Sequence, residues 1–192
     1  MNTIAPNQYE TARKHFVLRA EAEGLIDVAA EQHDTPLGPV TLAATFQGVV
    51  RLGLPNEAIE AILDELAGRI SPRTLKASRA SITTARRQID EYFAHRRTEF
   101  DVSMDLRLAH GFRRDVLCAA ACIRYGATAS YGEVAADAGK PRAIRPAATA
   151  LATNPLPILI PCHRVIHTDG RAGGYRGGSD AKQFLLALEQ ER

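Results

Sequence analysis

Apolar residues come in short blocks over the first third of the chain. Leu25 to Ala30, Val40 to Phe46 and Val49 to Leu54 are β-compatible runs. Asp34-Thr35-Pro36-Leu37-Gly38-Pro39 breaks the first pair and Gln47-Gly48 the second, which predicts a small meander. The period then changes. Ile59, Ile62, Leu63 and Leu66 recur at helical spacing behind Pro55-Asn56, with Asn56 the expected cap, Glu57 and Glu60 at the positive end and Gly68 at the stop. Ile82, Ala85, Ile89, Tyr92 and Phe93 predict a second helix, from about Ile82 to Arg97. Residues 1–23 are polar with weak periodicity and read as a tail or an irregular helix.

Beyond a connecting stretch at 98–111 the texture is helical. Phe112, Val116, Leu117, Ala120 and Ile123 form one face of a helix expected to run to Arg124. Tyr131 to Ala138, stopped by Gly139, and Ala143 to Ala152, after Lys140-Pro141, read as a helix-turn-helix. The expected fold class is α+β. An N-terminal α/β domain on a small antiparallel sheet (1–104) precedes a mostly helical C-terminal domain (105–192) with a winged helix-turn-helix.

Composition narrows the setting. The 192 residues are 45% hydrophobic and 24% charged, which excludes a collagen-like or wholly disordered chain. No run approaches the ~18 apolar residues of a membrane span, and the polar start lacks a signal-peptide core. Three cysteines make no disulfide framework, so a reducing cytoplasm is expected. Residues 1–104 hold 12 basic and 14 acidic side chains, and residues 105–192 hold 12 and 8. The basic surplus of the second half hints at an anionic partner.

The chemistry concentrates at Pro161-Cys162-His163-Arg164-Val165, at the end of an apolar stretch that reads as a strand. A buried thiol is mostly protonated, so a nucleophilic Cys162 needs a base or a positive field. His163 is adjacent, yet strand neighbours point to opposite faces, so contact requires irregular backbone at Pro161 or a bridging water. Cys118 and Cys122 lie i, i+4 on a helix and read as core residues. His15, His33, His95 and His110 read as surface residues, and His167 follows the apolar stretch toward the site.

This segment, preceded by Asn154-Pro155 and Ile158-Leu159-Ile160, resembles the active-site signature of the O6-alkylguanine-DNA alkyltransferases. Ser130-Tyr131-Gly132-Glu133-Val134-Ala135 resembles their first DNA-binding helix, Gly174-Tyr175 their lid loop, and the likeness covers most of the chain. The resemblance implies single-turnover transfer of the alkyl group from O6-alkylguanine, and O4-alkylthymine, to Cys162 without a cofactor. The Cys/His set with which some relatives hold zinc is not recognisable in residues 1–104, which contain no cysteine, so no metal is expected. The resemblance also implies His163 as base through a water, Glu189 as its orienter, Tyr131 as proton donor to the leaving guanine, and Asn154 as the brace of the turn before Cys162. It implies Arg145 as the finger that replaces a flipped base and Arg142 as a phosphate contact. Ala147 and Ala148 would lie on the small-residue helix that enters the minor groove of double-stranded DNA. Tyr175 with the backbone of Arg176 and Gly177 would form the lid, and backbone groups of Cys162 and Val165 would read the guanine edge. The protein is expected to be a bacterial-type monomer that joins the nucleoid when acting; side-by-side binding on DNA stays open.

Pro146-Ala147-Ala148 replaces the family's usual Ala-Val-Gly, and Arg176 puts a long cation in the lid, near DNA phosphate. Other classes predict different behaviour. A non-catalytic lesion-flagging relative lacks the reactive cysteine, a thiol hydrolase turns over without a permanent mark on Cys162, and a transcriptional regulator needs a less bland recognition helix.

Overall fold

The computed structural model describes residues 11–12, 15–17, 19–20 and 22–191; the described positions up to 22 are helical. Most of the expected tail, including all of 1–10, lies outside them.

β1 (Val28–Thr35), β2 (Gly38–Thr45) and β3 (Gly48–Gly53) form the predicted meander. β1 starts three residues later than the apolar run suggests. A fourth strand, β4 (Thr74–Lys76), pairs parallel to β1, giving the order β3-β2-β1-β4, so the sheet is mixed rather than antiparallel. Its three residues are too few for a readable alternation.

The period-2 pattern splits the sheet's faces. Val28, Ala30, Ala43 and Val50 pack with Ile62 and Leu66 of α1 (Ile59–Arg69). Ala29, Leu42, Ala44 and Val49 belong to the larger core that holds Ile82, Ala85, Ile89 and Tyr92 of α2 (Ala80–Phe93). Each of these large aliphatic side chains contributes about 1.5–3 kcal/mol by leaving water. Asn56 does not cap α1. The cap position is Ala58, and Asn56 and Glu57 sit in the preceding turn with other partners.

The second half is built from α3 (Phe112–Ala121), α4 (Tyr131–Asp137), α5 (Ile144–Ala152) and α6 (Gly178–Leu188). Val116, Leu117 and Ala120 point inward as predicted, but α3 stops at Ala121, short of Arg124. Cys118 and Cys122 are exposed, not core residues, because they fall on the opposite face from Val116 and Ala120. α4 opens with a capping box: Ser130 Oγ accepts from the Glu133 N–H at 3.2 Å, and the Ser130 N–H donates to Glu133 Oε2 at 2.6 Å. Immediately before it, β5 (Ala129–Ser130) pairs with β6 (Val165–Ile166). That short pairing fixes Tyr131 beside the segment that follows Cys162.

His33 is not a plain surface residue. Its ring lies 2.6 Å from Asp90 Oδ1 and accepts from Arg86 Nε at 3.2 Å, joining β1 to α2. His15, His95 and His110 are exposed. Among the described residues no helix is long and apolar enough to cross a membrane.

Candidate functional site

The apolar stretch 154–161 is not a strand. It is a tight loop organised by Asn154, which is fully buried. The Asn154 side chain accepts from the Leu156 N–H at 2.9 Å and donates to the Ile160 carbonyl at 3.0 Å and to Cys162 Sγ at 3.1 Å. The loop carries Ile158 at φ 72°, a conformation that costs a β-branched residue of the order of 1–3 kcal/mol. At Pro161 the chain turns into a single 3₁₀ turn, Cys162–Arg164. The irregular backbone that contiguous Cys and His require is therefore present.

Cys162 is buried and its thiol is pushed up to about 11, because loss of solvent outweighs the help of the Asn154 amide and the nearby Lys182. His163 is completely buried, with Nε2 2.8 Å from Glu189 Oε1 and Nδ1 without a protein partner. A carboxylate on Nε2 selects the tautomer with the proton there, which leaves the Nδ1 lone pair free to accept one. Burial lowers the imidazole's affinity for a proton, and Glu189 works against that.

Glu189 is the hub. It caps the C-terminus of α6 and accepts from Arg164 Nε at 2.9 Å, Arg164 Nη2 at 3.0 Å, the Tyr92 hydroxyl at 2.7 Å and the Gly126 N–H at 3.1 Å. Burial alone would raise its carboxyl, but hydrogen bonds from His163 and Arg164 hold it at about 2. A fixed anion at this place favours the charged form of His163.

Tyr131 and His167, ring centroids 5.2 Å apart, stand on the wall of an open groove of ≈ 540 Å³. Gly132, Ile144, Arg145, Ala148 and Gly174 line the same groove. Arg145 and Arg142 are exposed at and just before the start of α5. Ala148 faces the groove, whereas Ala147 is fully buried, because α5 turns that methyl into the core. Gly173 lies against the Tyr131 hydroxyl, where a Cβ would come within 2.5 Å, and its φ of 68° also suits glycine alone. Tyr175 is edge-on to His163 at 6.3 Å, with its hydroxyl buried.

Two expectations about the lid and base edge change. The Arg176 guanidinium does not reach toward the groove; it donates to Glu57 Oε2 from Nη2 at 2.7 Å and from Nε at 2.9 Å. The Cys162 N–H is committed to the Ile160 carbonyl at 2.8 Å and is not free to read a base. The Val165 carbonyl accepts from Lys182 Nζ at 2.6 Å and keeps its second lone pair.

Lys182 and Tyr92 join the site without a local motif to mark them. Lys182 is fully buried, its ammonium brought down to about 8 by burial and 5.9 Å from the centre of the Tyr131 ring. The signal was present, since Lys182 shares the i, i+3 face of Leu185 and a lysine on an apolar stripe needs a reason. Tyr92 shows in the sequence only as one position of an apolar helix face, although a buried phenol must find an acceptor.

A thiol braced by an amide, an adjacent imidazole oriented by a buried carboxylate, and a helix-turn-helix whose Tyr131 shares a core with that thiol define a nucleophilic-cysteine protein with a nucleic-acid-binding architecture. Residues 28–106 match the 6-O-methylguanine DNA methyltransferase ribonuclease-like domain, and residues 111–191 match the DNA binding domain of the same name. The chain is 40% identical over 157 residues to the methylated-DNA--protein-cysteine methyltransferase of Mycolicibacterium paratuberculosis, covering 82% of this chain and 89% of that one. The crystal structure of the Mycobacterium tuberculosis O6-methylguanine methyltransferase superposes with a TM-score of 0.74 at 36% identity, covering 86% and 94% of the two chains. The structure of Mycobacterium tuberculosis OGT in complex with DNA gives 0.73 at 36%, covering 84% and 92%. The chain belongs to the 6-O-methylguanine DNA methyltransferase family.

Proposed function

We propose that this protein repairs DNA by irreversible transfer of the alkyl group of O6-alkylguanine, and of O4-alkylthymine, to its own Cys162, once per molecule. The observation that carries the reading is His163: its Nε2 is held by Glu189 and its Nδ1 is unpartnered, next in sequence to an amide-braced thiol. Cys162 Sγ attacks the alkyl carbon in line with O6. The S–C bond forms as the C–O6 bond breaks, and that electron pair stays on guanine. The thiol proton passes through a water to His163 Nδ1, where Glu189 stabilises the imidazolium. Tyr131, kept protonated by burial and by the thiol's negative form, donates to the departing guanine's ring nitrogen. The buried Lys182 ammonium favours the thiolate.

The substrate base is flipped out of double-stranded DNA bound through its minor groove. Arg145 fills the gap, Arg142 meets a phosphate, and Ala148 allows close approach. Tyr175 and the 176–177 backbone cover the base, and the free lone pair of the Val165 carbonyl reads its edge. Residues 1–104 support residues 105–192, which hold the acceptor. The protein acts as a cytoplasmic monomer.

Intact mass after incubation with a short duplex carrying one O6-methylguanine tests the reading. One methyl per protein, mapped to Cys162, is expected; multiple turnover without a mark on Cys162 would overturn it. Arg145→Ala is expected to slow repair in duplex about 30-fold, since roughly 2 kcal/mol of the flipping cost goes uncompensated. Reaction with the free alkylated base stays at the wild-type rate. Equal slowing of both would rule out the finger.

A further inference from the structure

The loop beside Tyr131 and His163 is held from the N-terminal half of the chain. Residues 171–177 run across Tyr131 and His163 and end at Gly177, the N-cap of α6. The turn between β3 and α1 meets that end in three ways. Asn56 Nδ2 donates to the Arg176 carbonyl at 2.9 Å. Glu57 Oε2 accepts from two nitrogens of Arg176. Leu54 lies so close that a Cβ on Gly177 would stand 2.9 Å from its Cδ1. Glu57 is itself fixed from below. The Leu54 N–H donates to its Oε1 at 3.0 Å, and the buried Arg51 guanidinium bonds its Oε2.

We propose that Asn56 and Glu57 are positioning residues that latch the loop 171–177 over Cys162 and so set how large an alkyl group reaches the sulfur. The inference rests on the alkyl-transfer reading and adds a specificity determinant to it. The physical reason is a stack of alternating charge, Arg51–Glu57–Arg176, in which one carboxylate oxygen serves both cations. Burial works against the charge of Glu57, and donors from Arg176, Leu54 and Arg51 overcome that and keep it ionised. Without the carboxylate, Arg176 faces Arg51 across the same space, and like charges at that distance push the loop outward. Release at 176 propagates to Tyr175 one residue away, which is edge-on to His163. The loop end then yields room where an alkyl group must sit. The latch also gives the N-terminal unit a part in the reaction other than packing.

Transfer rates from duplexes carrying O6-methylguanine or O6-benzylguanine, in wild type, Glu57→Gln and Asn56→Ala, test this together with hydrogen exchange of the 173–177 amides. Both variants are expected to raise the benzyl-to-methyl rate ratio at least about fivefold, with faster exchange at 173–177. Glu57→Asp, which keeps the charge, is expected to restore part of the wild-type ratio. Glu57→Gln leaves Arg51 with Glu65 alone and loses stability, whereas Asn56→Ala keeps the Arg51–Glu57 pair, so a folded variant is available in either case. A ratio within twofold of wild type in folded Asn56→Ala and Glu57→Gln, or unchanged exchange at 173–177, overturns the latch. A wild type that transfers neither group overturns the alkyl-transfer reading instead; amide exchange then still decides whether Asn56 and Glu57 hold the loop.

Discussion

Cys162→Ser is expected to abolish alkyl transfer and to leave DNA affinity within about twofold of wild type. The sulfur is buried and accepts one hydrogen bond, from Asn154 Nδ2 at 3.1 Å. A serine hydroxyl accepts the same bond in nearly the same volume, so the loop 154–161 keeps its brace. The chemistry does not survive, because an alcohol is far harder to ionise than a thiol and a far weaker nucleophile at neutral pH. A loss of four or more orders of magnitude follows, roughly what a triad enzyme shows when its nucleophile goes. The DNA-facing groups proposed above, Arg142, Arg145 and Ala148, lie on or next to α5 and do not touch the sulfur. Mass spectrometry with the methylated duplex reads the first half of the prediction and fluorescence anisotropy the second. A Cys162→Ser protein that binds duplex ten times more weakly would show that the thiol takes part in docking, and the division of labour would fail.

The elements with strong periodicity were legible in the sequence. The stripes Ile59/Ile62/Leu66 and Ile82/Ala85/Ile89/Tyr92 each select one helical face, and the structure buries those residues. The helix-turn-helix was legible from Gly139 and Pro141 between two short apolar patterns. What failed lay where tertiary contacts override local pattern. Ile158-Leu159-Ile160 has strand composition, yet Asn154 captures the backbone groups that a strand would pair with neighbours. Asn56 and Glu57 have helix-start chemistry, but Arg176, more than a hundred residues away, claims their side chains.

Within the site, local sequence picked out Cys162 and His163, and the resemblance supplied Glu189, Tyr131 and Asn154. Glu189 looks like a solvated terminal charge by composition, and only the fold brings five donors onto it. Lys182 and Tyr92 were hidden for the opposite reason. Each sits on an apolar stripe, where pattern reading sees core, and the polar tip finds its partner only across an interface between elements.

Glu189→Gln is expected to damage stability and chemistry together, with a recognisable pH signature. The carboxylate is the only acid paired with the buried Arg164 guanidinium among the described residues. Neutralising one partner of a buried pair leaves the other charge uncompensated, at a cost of about 3–5 kcal/mol. For a chain of this length that lowers the melting temperature by roughly 10 °C. The wild-type carboxyl titrates near 2, below its ordinary value of 4.5. Its contribution is therefore complete above the unfolded-state value and is lost as pH falls through 4 toward 2. The variant lacks that component of the acid slope while being less stable at pH 7. In the reaction, His163 loses the anion that favours its protonated form, so proton transfer from Cys162, already uphill, becomes steeper. The transfer rate at pH 7 should fall about 100-fold, the lower range for loss of general-base assistance. With the base disabled, thiolate arises only by direct ionisation of a thiol near 11. The logarithm of the rate then climbs by about one per pH unit across the alkaline range. Stopped-time mass spectrometry from pH 6 to 9.5, with thermal melts at each pH, separates these effects. A variant that melts early but keeps both the wild-type rate and the wild-type pH profile would reduce Glu189 to a structural brace for Arg164.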